Sequence, residues 1–250
     1  MADSTIDGAR LLESLIDLAL EAGAAALRVY AGDFAVDAKE DASPVTAADR
    51  QCEEIILNGL SALAPEIPVL AEESAAAGRI PDLGETFFLV DPLDGTKEFV
   101  SRNGEFTINI ALVRKGRPVL GVVYAPAIGR LYAGGTGLGA LRLDIGETGA
   151  RGGRRAITAR PVPEQGLVAV ASRSHATPET EAFLKSLAVG EFAVAGSSLK
   201  FCLIAESAAD VYPRLGRTME WDTGAGQAVL EAAGGRVVVH PSGEPLSYGK

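Results

Sequence analysis

The chain is poor in the residues on which several classes of enzyme and secreted protein depend. Its 250 residues include two histidines, which argues against a histidine-rich zinc site and would oblige a Ser-His-Asp triad to use His175 or His240. The two cysteines, Cys52 and Cys202, indicate no disulfide framework. No apolar run is long enough to span a bilayer, and the N-terminus has no signal-peptide pattern. We therefore expect a cytoplasmic protein, with peripheral membrane association left open.

Basic residues are also in deficit, because 23 Lys and Arg face 33 Asp and Glu and give a formal net charge of −10. This balance argues against binding to a nucleic-acid backbone, which requires a basic surface. An anionic small-molecule substrate stays open, because bound cations can invert the sign of the local field. Hydrophobic residues make up 47% of the chain, so a substantial core is expected, in one large domain or two small ones.

The most informative stretch follows an apolar run at residues 87–90, which predicts a buried strand. Asp91 and Asp94 lie where this strand ends, and Asp94 is suited to cap a following helix. Gly95 and Thr96 would then offer free backbone N–H groups to a phosphate. Carboxylates for a hard cation beside amides for an anion indicate metal-assisted phosphate chemistry. An ordinary Asp-rich turn with a helix cap explains the stretch equally well.

Three further acidic positions have both a structural and a functional interpretation. Thr46 and Asp49 have the spacing of a capping box, which gives Asp49 a plain structural role. Glu72 and its neighbour follow a short apolar strand and are either solvated loop acids or one inward-facing ligand. Asp222 suits the N-cap of a helix whose first turns are nearly free of bulky side chains, so that this helix end can approach a shared site closely.

The chain changes character near its middle. Short strands with tight turns between residues 106 and 133 predict an antiparallel sheet, whereas strands and helices alternate after residue 155, including a strand at 236–240. Residues 144–155 are rich in Gly and Arg without periodicity and are interpreted as a boundary. We therefore predict an N-terminal α+β half over residues 1–150, which carries most of the candidate ligands, and a C-terminal α/β half over residues 151–250.

Together these elements resemble the inositol monophosphatase superfamily of magnesium-dependent, lithium-sensitive phosphatases. The matching motifs, in order and spacing, are Glu72-Glu73-Ser74, Asp91-Pro92-Leu93-Asp94-Gly95-Thr96 and Trp221-Asp222. Within the superfamily the chain is most similar to the bacterial 3'(2'),5'-bisphosphate nucleotidases. The supporting stretches are residues 43–49, 94–99, 102–107, 172–175, 196–202 and 212–214. The resemblance implies a layered αβαβα sandwich of the inositol monophosphatase and fructose-1,6-bisphosphatase type.

The resemblance also implies a set of site residues. Metal ligands would be the side chains of Glu72, Asp91, Asp94 and Asp222 and the carbonyl of Leu93, holding two or three Mg²⁺ ions for which Mn²⁺ can substitute. Asp49 and Thr96 would activate the attacking water, with Glu72 also catalytic. The implied substrate contacts are Gly95, Thr96, Lys97, Arg173, His175, Ser197, Ser198, Lys200, Arg214 and Asp222.

The expected activity is hydrolysis of the 3'-phosphate of adenosine 3',5'-bisphosphate to AMP and phosphate. The alternatives are an inositol-phosphate, histidinol-phosphate or sugar-phosphate phosphatase on the same scaffold, and a non-catalytic, metal-dependent nucleotide-binding regulator. The expected partner is a small phosphate ester and not a nucleic acid, and a homodimer stays open.

Overall fold

The computed structural model describes residues 7–38, 44–164, 166–171 and 177–250, and within these ranges the chain forms eleven strands and seven α-helices. The strands are β1 (Val36–Ala38), β2 (Pro44–Thr46), β3 (Val69–Ala71), β4 (Thr86–Asp94), β5 (Thr107–Arg114), β6 (Arg117–Ala125), β7 (Arg130–Gly135), β8 (Gly139–Ile145), β9 (Arg151–Ile157), β10 (Leu167–Ala171) and β11 (Val189–Val194). The helices are α1 (Gly8–Ala31), α2 (Ala47–Leu63), α3 (Glu72–Ala76), α4 (Thr96–Val100), α5 (Pro178–Lys185), α6 (Leu199–Ala205) and α7 (Trp221–Ala232).

A seven-stranded sheet joins β3 to β9 in the order of the chain. Strand β3 is parallel to β4, and every later pair is antiparallel. The turn between β5 and β6 consists of Lys115 and Gly116, both with positive φ. This is the backbone of the two-residue turns that suit the twist of a hairpin. The antiparallel sheet predicted for this part of the chain is confirmed.

Successive side chains of the central strands point to opposite faces of this sheet. Both faces are buried, each in its own hydrophobic core. In β4, Phe88 and Val90 pack in the core that also contains α1 and α2. Phe87 and Leu89 pack in a second core with residues of α6 and α7. Strands β10 and β11 form a separate parallel pair, from which Val170 joins the second core. The layered α+β arrangement expected from the resemblance is confirmed.

Helix α7 lies unusually close to the sheet, where two glycines face each other across β6 and β7. A Cβ atom on Gly121 would lie 2.5 Å from the carbonyl oxygen of Ala225, and one on Gly134 would lie 3.1 Å from the Cα of Val229. Only glycine leaves room for a helix at this distance. The close approach brings the first turn of α7, with Asp222, to the end of β4.

The strand predicted at residues 236–240 is absent, because the structure forms only an isolated bridge there, between Val238 and Pro245. Residues 144–155, which the sequence suggested as a boundary, form most of the hairpin of β8 and β9 within the large sheet. The division into two halves stays a proposal, and the strand pairing favours a boundary after Ile157 over one after residue 150.

Candidate active site

Asp91 and Asp94 lie in the last four residues of β4, where the pairing with β5 becomes irregular. The sequence suggested that Asp94 caps the following helix, and this prediction is wrong. The N-cap position is held by Gly95, whose φ of 92° is left-handed and whose missing side chain leaves room for the Ser197 hydroxyl. The Asp94 carboxylate is directed instead toward the interior of the site, where Ser198 donates a hydrogen bond of 3.0 Å to it.

Asp222 also differs from its predicted capping role, because α7 begins one residue earlier, at Trp221. The backbone N–H of Met219 donates a hydrogen bond of 2.9 Å to Oδ2 of Asp222. This bond fixes one oxygen of the carboxylate, and Asp94 lies near enough to raise the pKa of Asp222. The predicted N-cap role is therefore wrong, because Asp222 lies within the first turn of α7.

Four carboxylates influence one another strongly at this point. Burial raises the pKa of Asp91 well above its ordinary value, and the nearby Glu72, Asp94 and Asp222 carboxylates raise it further. Burial and the Asp94 carboxylate raise the pKa of Asp222 to about 7. Burial also raises the pKa of Asp94, although the Lys200 ammonium acts in the opposite direction. Such mutual repulsion at neutral pH is relieved by a bound proton or by a bound cation.

These side chains line a single cavity of about 1300 Å³. Within the part of the chain that the structure describes, no three Asp, Glu, His or Cys side chains form a ready-made metal cage. Oδ1 of Asp91 accepts a hydrogen bond of 3.1 Å from the Leu93 N–H, and the Glu72 carboxylate lies near enough to raise the pKa of Asp91. The donor set nevertheless fits a hard divalent cation, because it consists of oxygen atoms only.

Asp49 and Thr96 form a second arrangement at the same cavity. The capping box predicted at the start of α2 is present, since the Thr46 N–H and hydroxyl both donate to Oδ2 of Asp49 at 2.7 Å. The other oxygen, Oδ1, accepts a hydrogen bond of 3.1 Å from the Thr96 hydroxyl. Capping and contact with Thr96 therefore coexist in one carboxylate. Burial raises the pKa of Asp49, although these hydrogen bonds act to lower it.

Three residues support Asp94 and were only partly anticipated. Besides Ser198, Thr107 and Asn109 contact Oδ2 of Asp94, each at 3.5 Å. Asn109 also donates to the Ser198 hydroxyl at 3.0 Å. The sequence did carry a signal for Thr107 and Asn109, because they are polar residues at alternate positions of a strand that is otherwise apolar up to Val113.

The predicted substrate contacts divide into three groups. Lys97, Lys200 and Arg214 place positive charge on the wall of the cavity, which Gly95, Thr96, Ser197 and Asp222 also line. Ser198, in contrast, is 2% exposed, lies outside the cavity wall and bonds to Asp94 and to the Asp222 carbonyl, so its assignment to substrate is corrected. Arg173 and His175 lie outside the described residues.

The two cavity cations with the clearest surroundings are Lys200 and Arg214. Lys200 is 6% exposed, and its Nζ lies 5.4 Å from the centre of the Tyr212 ring. Burial lowers the pKa of Lys200, while the Asp94 carboxylate acts to raise it. Arg214 donates to the Thr218 hydroxyl at 3.0 Å and to the Arg217 carbonyl at 3.3 Å. Both cations thus have fixed surroundings on the wall of the cavity.

The family to which this geometry belongs is decided by comparison with known proteins. Residues 7–250 match the family described as the inositol monophosphatase family. The chain belongs to the inositol monophosphatase family. Enzymes of this family are metal-dependent phosphatases, which agrees with an oxygen-only donor set beside fixed cations. Among the helices of the described ranges, none combines the length and apolarity that a membrane crossing requires.

Individual members of the inositol monophosphatase family resemble this chain along nearly its whole length. It is 46% identical over 241 residues to a protein of Shigella flexneri named 3'(2'),5'-bisphosphate nucleotidase CysQ, covering 95% of this chain and 94% of that protein. The crystal structure of CysQ from Bacteroides thetaiotaomicron superposes with a TM-score of 0.80 at 42% identity, covering 96% and 93%. An inositol monophosphatase from Anabaena superposes with a TM-score of 0.76 at 27% identity, covering 97% and 88%.

Proposed function

We propose that this protein is a 3'(2'),5'-bisphosphate nucleotidase that removes the 3'-phosphate of adenosine 3',5'-bisphosphate to give AMP and phosphate. The observation that carries the proposal is a single cavity lined both by carboxylates and by buried or anchored cations. A monophosphate ester needs only one anion-binding region, whereas a nucleotide bisphosphate needs two. Lys200 and Arg214 supply the second region.

The metal ligands in this proposal are the carboxylates of Glu72, Asp91, Asp94 and Asp222 and the carbonyl oxygen of Leu93. Two Mg²⁺ ions would balance the four negative charges, and a third ion or substitution by Mn²⁺ is compatible with the same oxygen donors. When bound, such ions supply charge stabilisation of the phosphoryl group and a water of lowered pKa. Binding of the ions would offset the repulsion between Asp91 and the neighbouring carboxylates of Glu72, Asp94 and Asp222.

Asp49 and Thr96 position and deprotonate the attacking water in this proposal. The Thr96 hydroxyl donates its proton toward Oδ1 of Asp49, which leaves its oxygen lone pairs directed at the cavity. Those lone pairs can accept a hydrogen bond from the water and draw its proton toward the Asp49 carboxylate. Thr46 holds the second oxygen of Asp49 through two hydrogen bonds, so the carboxylate cannot turn away.

The reacting phosphate is proposed to bind at the start of α4, near the amides of Gly95 and Thr96 and the Lys97 side chain. The remaining phosphate and the sugar would contact Ser197, Lys200 and Arg214, together with Arg173 and His175. The Ser197 hydroxyl already donates to the carbonyls of Asp94 and Glu105, both at 2.8 Å, so its contribution requires an exchange of partners.

Phosphate release in the presence and absence of Mg²⁺ tests this function. The substrates are adenosine 3',5'-bisphosphate and inositol 1-phosphate at equal concentration, and chromatography distinguishes 5'-AMP from 3'-AMP as the product. We expect Mg²⁺-dependent formation of 5'-AMP, lithium inhibition and much slower release from the inositol ester. Equal or faster release from inositol 1-phosphate would overturn the substrate while keeping the reaction class.

The same assay separates the enzyme from a non-catalytic nucleotide-binding regulator. Asp94→Asn keeps the size of this half-buried side chain but removes one of the proposed ligand charges. We expect this variant to fold and to release phosphate at the background rate. Wild-type activity in Asp94→Asn would show that the metal assignment is wrong.

We further propose that the protein acts in the cytoplasm, and that any homodimer leaves the cavity open.

A further inference from the structure

Glu53 is a buried carboxylate at the same cavity for which the proposed mechanism provides no role. It lies in α2 and is 4% exposed, although a glutamate is seldom buried without a specific partner. Oε2 of Glu53 accepts a hydrogen bond of 2.8 Å from the backbone N–H of Glu73, and Oε1 accepts one of 2.7 Å from the Ser74 hydroxyl. Both donors belong to the first turn of α3.

Helix α3 depends on this contact because it has little support of its own. It has five residues, and a helix of this length is unstable in isolation. Its N-cap residue is Ala71, which has no side-chain oxygen to accept a hydrogen bond from the first turn. Glu53 takes over this function from another helix. Glu53 fixes Glu73 and Ser74 directly, and through them Glu72, which begins α3 and precedes Glu73 in the chain.

The position of Glu53 relative to Asp49 adds a second argument. The two residues are four positions apart, so they lie on the same face of α2, one turn apart. Asp49 accepts a hydrogen bond from Thr96 in α4, while Glu53 accepts two from α3. One face of α2 therefore holds the proposed water-activating pair and the proposed metal ligand Glu72 at a fixed separation.

We infer that Glu53 is a positioning residue, which holds Glu72 in place for metal binding through its hydrogen bonds to Glu73 and Ser74. This inference rests on the proposed function, because it takes Glu72 to be a metal ligand. Groups that orient metal ligands commonly change metal affinity by about 10- to 100-fold when they are removed. The loss expected from removing Glu53 is therefore in metal affinity and not in the chemical step.

The test is the affinity of the purified full-length protein for Mn²⁺ without substrate, measured from the electron paramagnetic resonance signal of free Mn²⁺. We expect Glu53→Ala to raise the Kd for Mn²⁺ by about 10-fold or more. Glu53→Gln should stay close to the wild type, because its oxygen can accept from the Glu73 N–H while its amide donates to the Ser74 oxygen. Glu54→Gln removes a charge from the neighbouring, exposed position of α2 and is the matched control.

An activity measurement then separates positioning from general destabilisation. In Glu53→Ala, the Mg²⁺ concentration for half-maximal rate should rise, while kcat at saturating Mg²⁺ stays near the wild-type value. A purely structural role would lower the melting temperature without changing the Mn²⁺ affinity of the folded fraction. Wild-type affinity in a folded Glu53→Ala protein, or an equal loss in Glu53→Gln, would overturn the inference.

Two further variants keep the outcome decisive. Ser74→Ala removes one of the two hydrogen bonds and should weaken Mn²⁺ binding by less than Glu53→Ala does. If Glu53→Ala does not fold, Ser74→Ala becomes the test, and a wild-type Mn²⁺ affinity in that variant overturns the inference. Glu72→Gln tests the proposed function itself. If Glu72→Gln binds Mn²⁺ normally, the metal-site proposal fails, whereas loss in Glu72→Gln with none in Glu53→Ala defeats only the inference about Glu53.

Discussion

At the scale of single residues, the site depends on side chains that perform two functions at once. Asp49 completes the capping box of α2 and also accepts the Thr96 hydroxyl. Ser198 holds Asp94 and also the first turn of α7 through the Asp222 carbonyl. A structural explanation for such a residue therefore does not compete with a functional one. Substitutions must be chosen to remove one function and keep the other.

Thr96 allows such a choice, because Ser keeps its hydroxyl and Ala removes it. We expect Thr96→Ala to lower kcat by about 10²- to 10⁴-fold, the usual contribution of a positioned proton acceptor, while Mn²⁺ binding is retained. Thr96→Ser should keep most of the activity. Steady-state kinetics at saturating Mg²⁺ measure the effect. A rate in Thr96→Ala close to that of the wild type would remove Thr96 from the mechanism.

Asp222 predicts how the stability of the metal-free protein changes with pH. Its pKa is about 7 in the folded protein, compared with about 4 for an aspartate in an unfolded chain. The folded state therefore holds the proton more tightly, so the stability gained from this group is complete below pH 4 and is lost as the pH rises to 7. Three pKa units correspond to about 4 kcal/mol at most.

Bound Mg²⁺ should reverse this trend, because it requires the ionised carboxylates. We expect Mg²⁺ to raise the melting temperature strongly at pH 8 and only slightly at pH 5. Asp222→Asn serves as the control and should show both a shallower decline of metal-free stability and a smaller gain from Mg²⁺. Thermal unfolding followed by circular dichroism measures both effects, and identical pH profiles in the two proteins would contradict the prediction.

At the scale of elements, the position of α7 determines whether Asp222 reaches the end of β4. Gly121→Ala places a methyl group 2.5 Å from the Ala225 carbonyl oxygen, in a strand and helix that are both buried. We expect a loss of about 1–3 kcal/mol in the free energy of unfolding, with weaker Mn²⁺ binding as α7 moves outward.

The matched control for Gly121→Ala is Gly153→Ala in the exposed strand β9. Its Cβ meets only the end of the Asp144 side chain, at 3.8 Å. Urea denaturation should therefore show little change for Gly153→Ala. If Gly121→Ala is as stable as the control and binds Mn²⁺ normally, the close approach of α7 is not what places Asp222.

Local patterns predicted some elements well and others poorly, for physical reasons. The alternation of Ile108, Ile110 and Leu112 predicted β5 correctly, because each of these side chains enters the core. Strand β9 was missed because it is exposed, and its stability derives partly from ion pairs that no local pattern reveals, such as Arg154 with Glu13 in α1. The capping role given to Asp94 failed because Ser198, which is distant in the sequence, binds its carboxylate. The role given to Asp222 failed because α7 begins at Trp221, so that Asp222 lies within its first turn.

At the scale of the whole molecule, the large sheet is shared between two cores. One face is covered by α1 and α2, which both precede the sheet in the chain. The other face is covered mainly by α6 and α7, which follow it. The N-terminal half therefore depends on the C-terminal half, because it contains the sheet but lacks α6 and α7, the helices that cover the second face.

This arrangement predicts that residues 1–157 do not fold alone. Without α6 and α7, the fragment would expose Phe87, Leu89, Val123 and Tyr132, all at most 1% exposed in the intact chain. A contiguous apolar surface of this kind favours aggregation over a stable monomer. We expect the fragment to bind a hydrophobic dye and to unfold without a cooperative transition, whereas the full chain unfolds in a single cooperative transition.

Co-expression with residues 158–250 should restore a cooperative transition and Mn²⁺ binding, because the separate chain can cover the same face and return Asp222 to the site. A monomeric fragment that unfolds cooperatively would instead make the N-terminal half an independent domain.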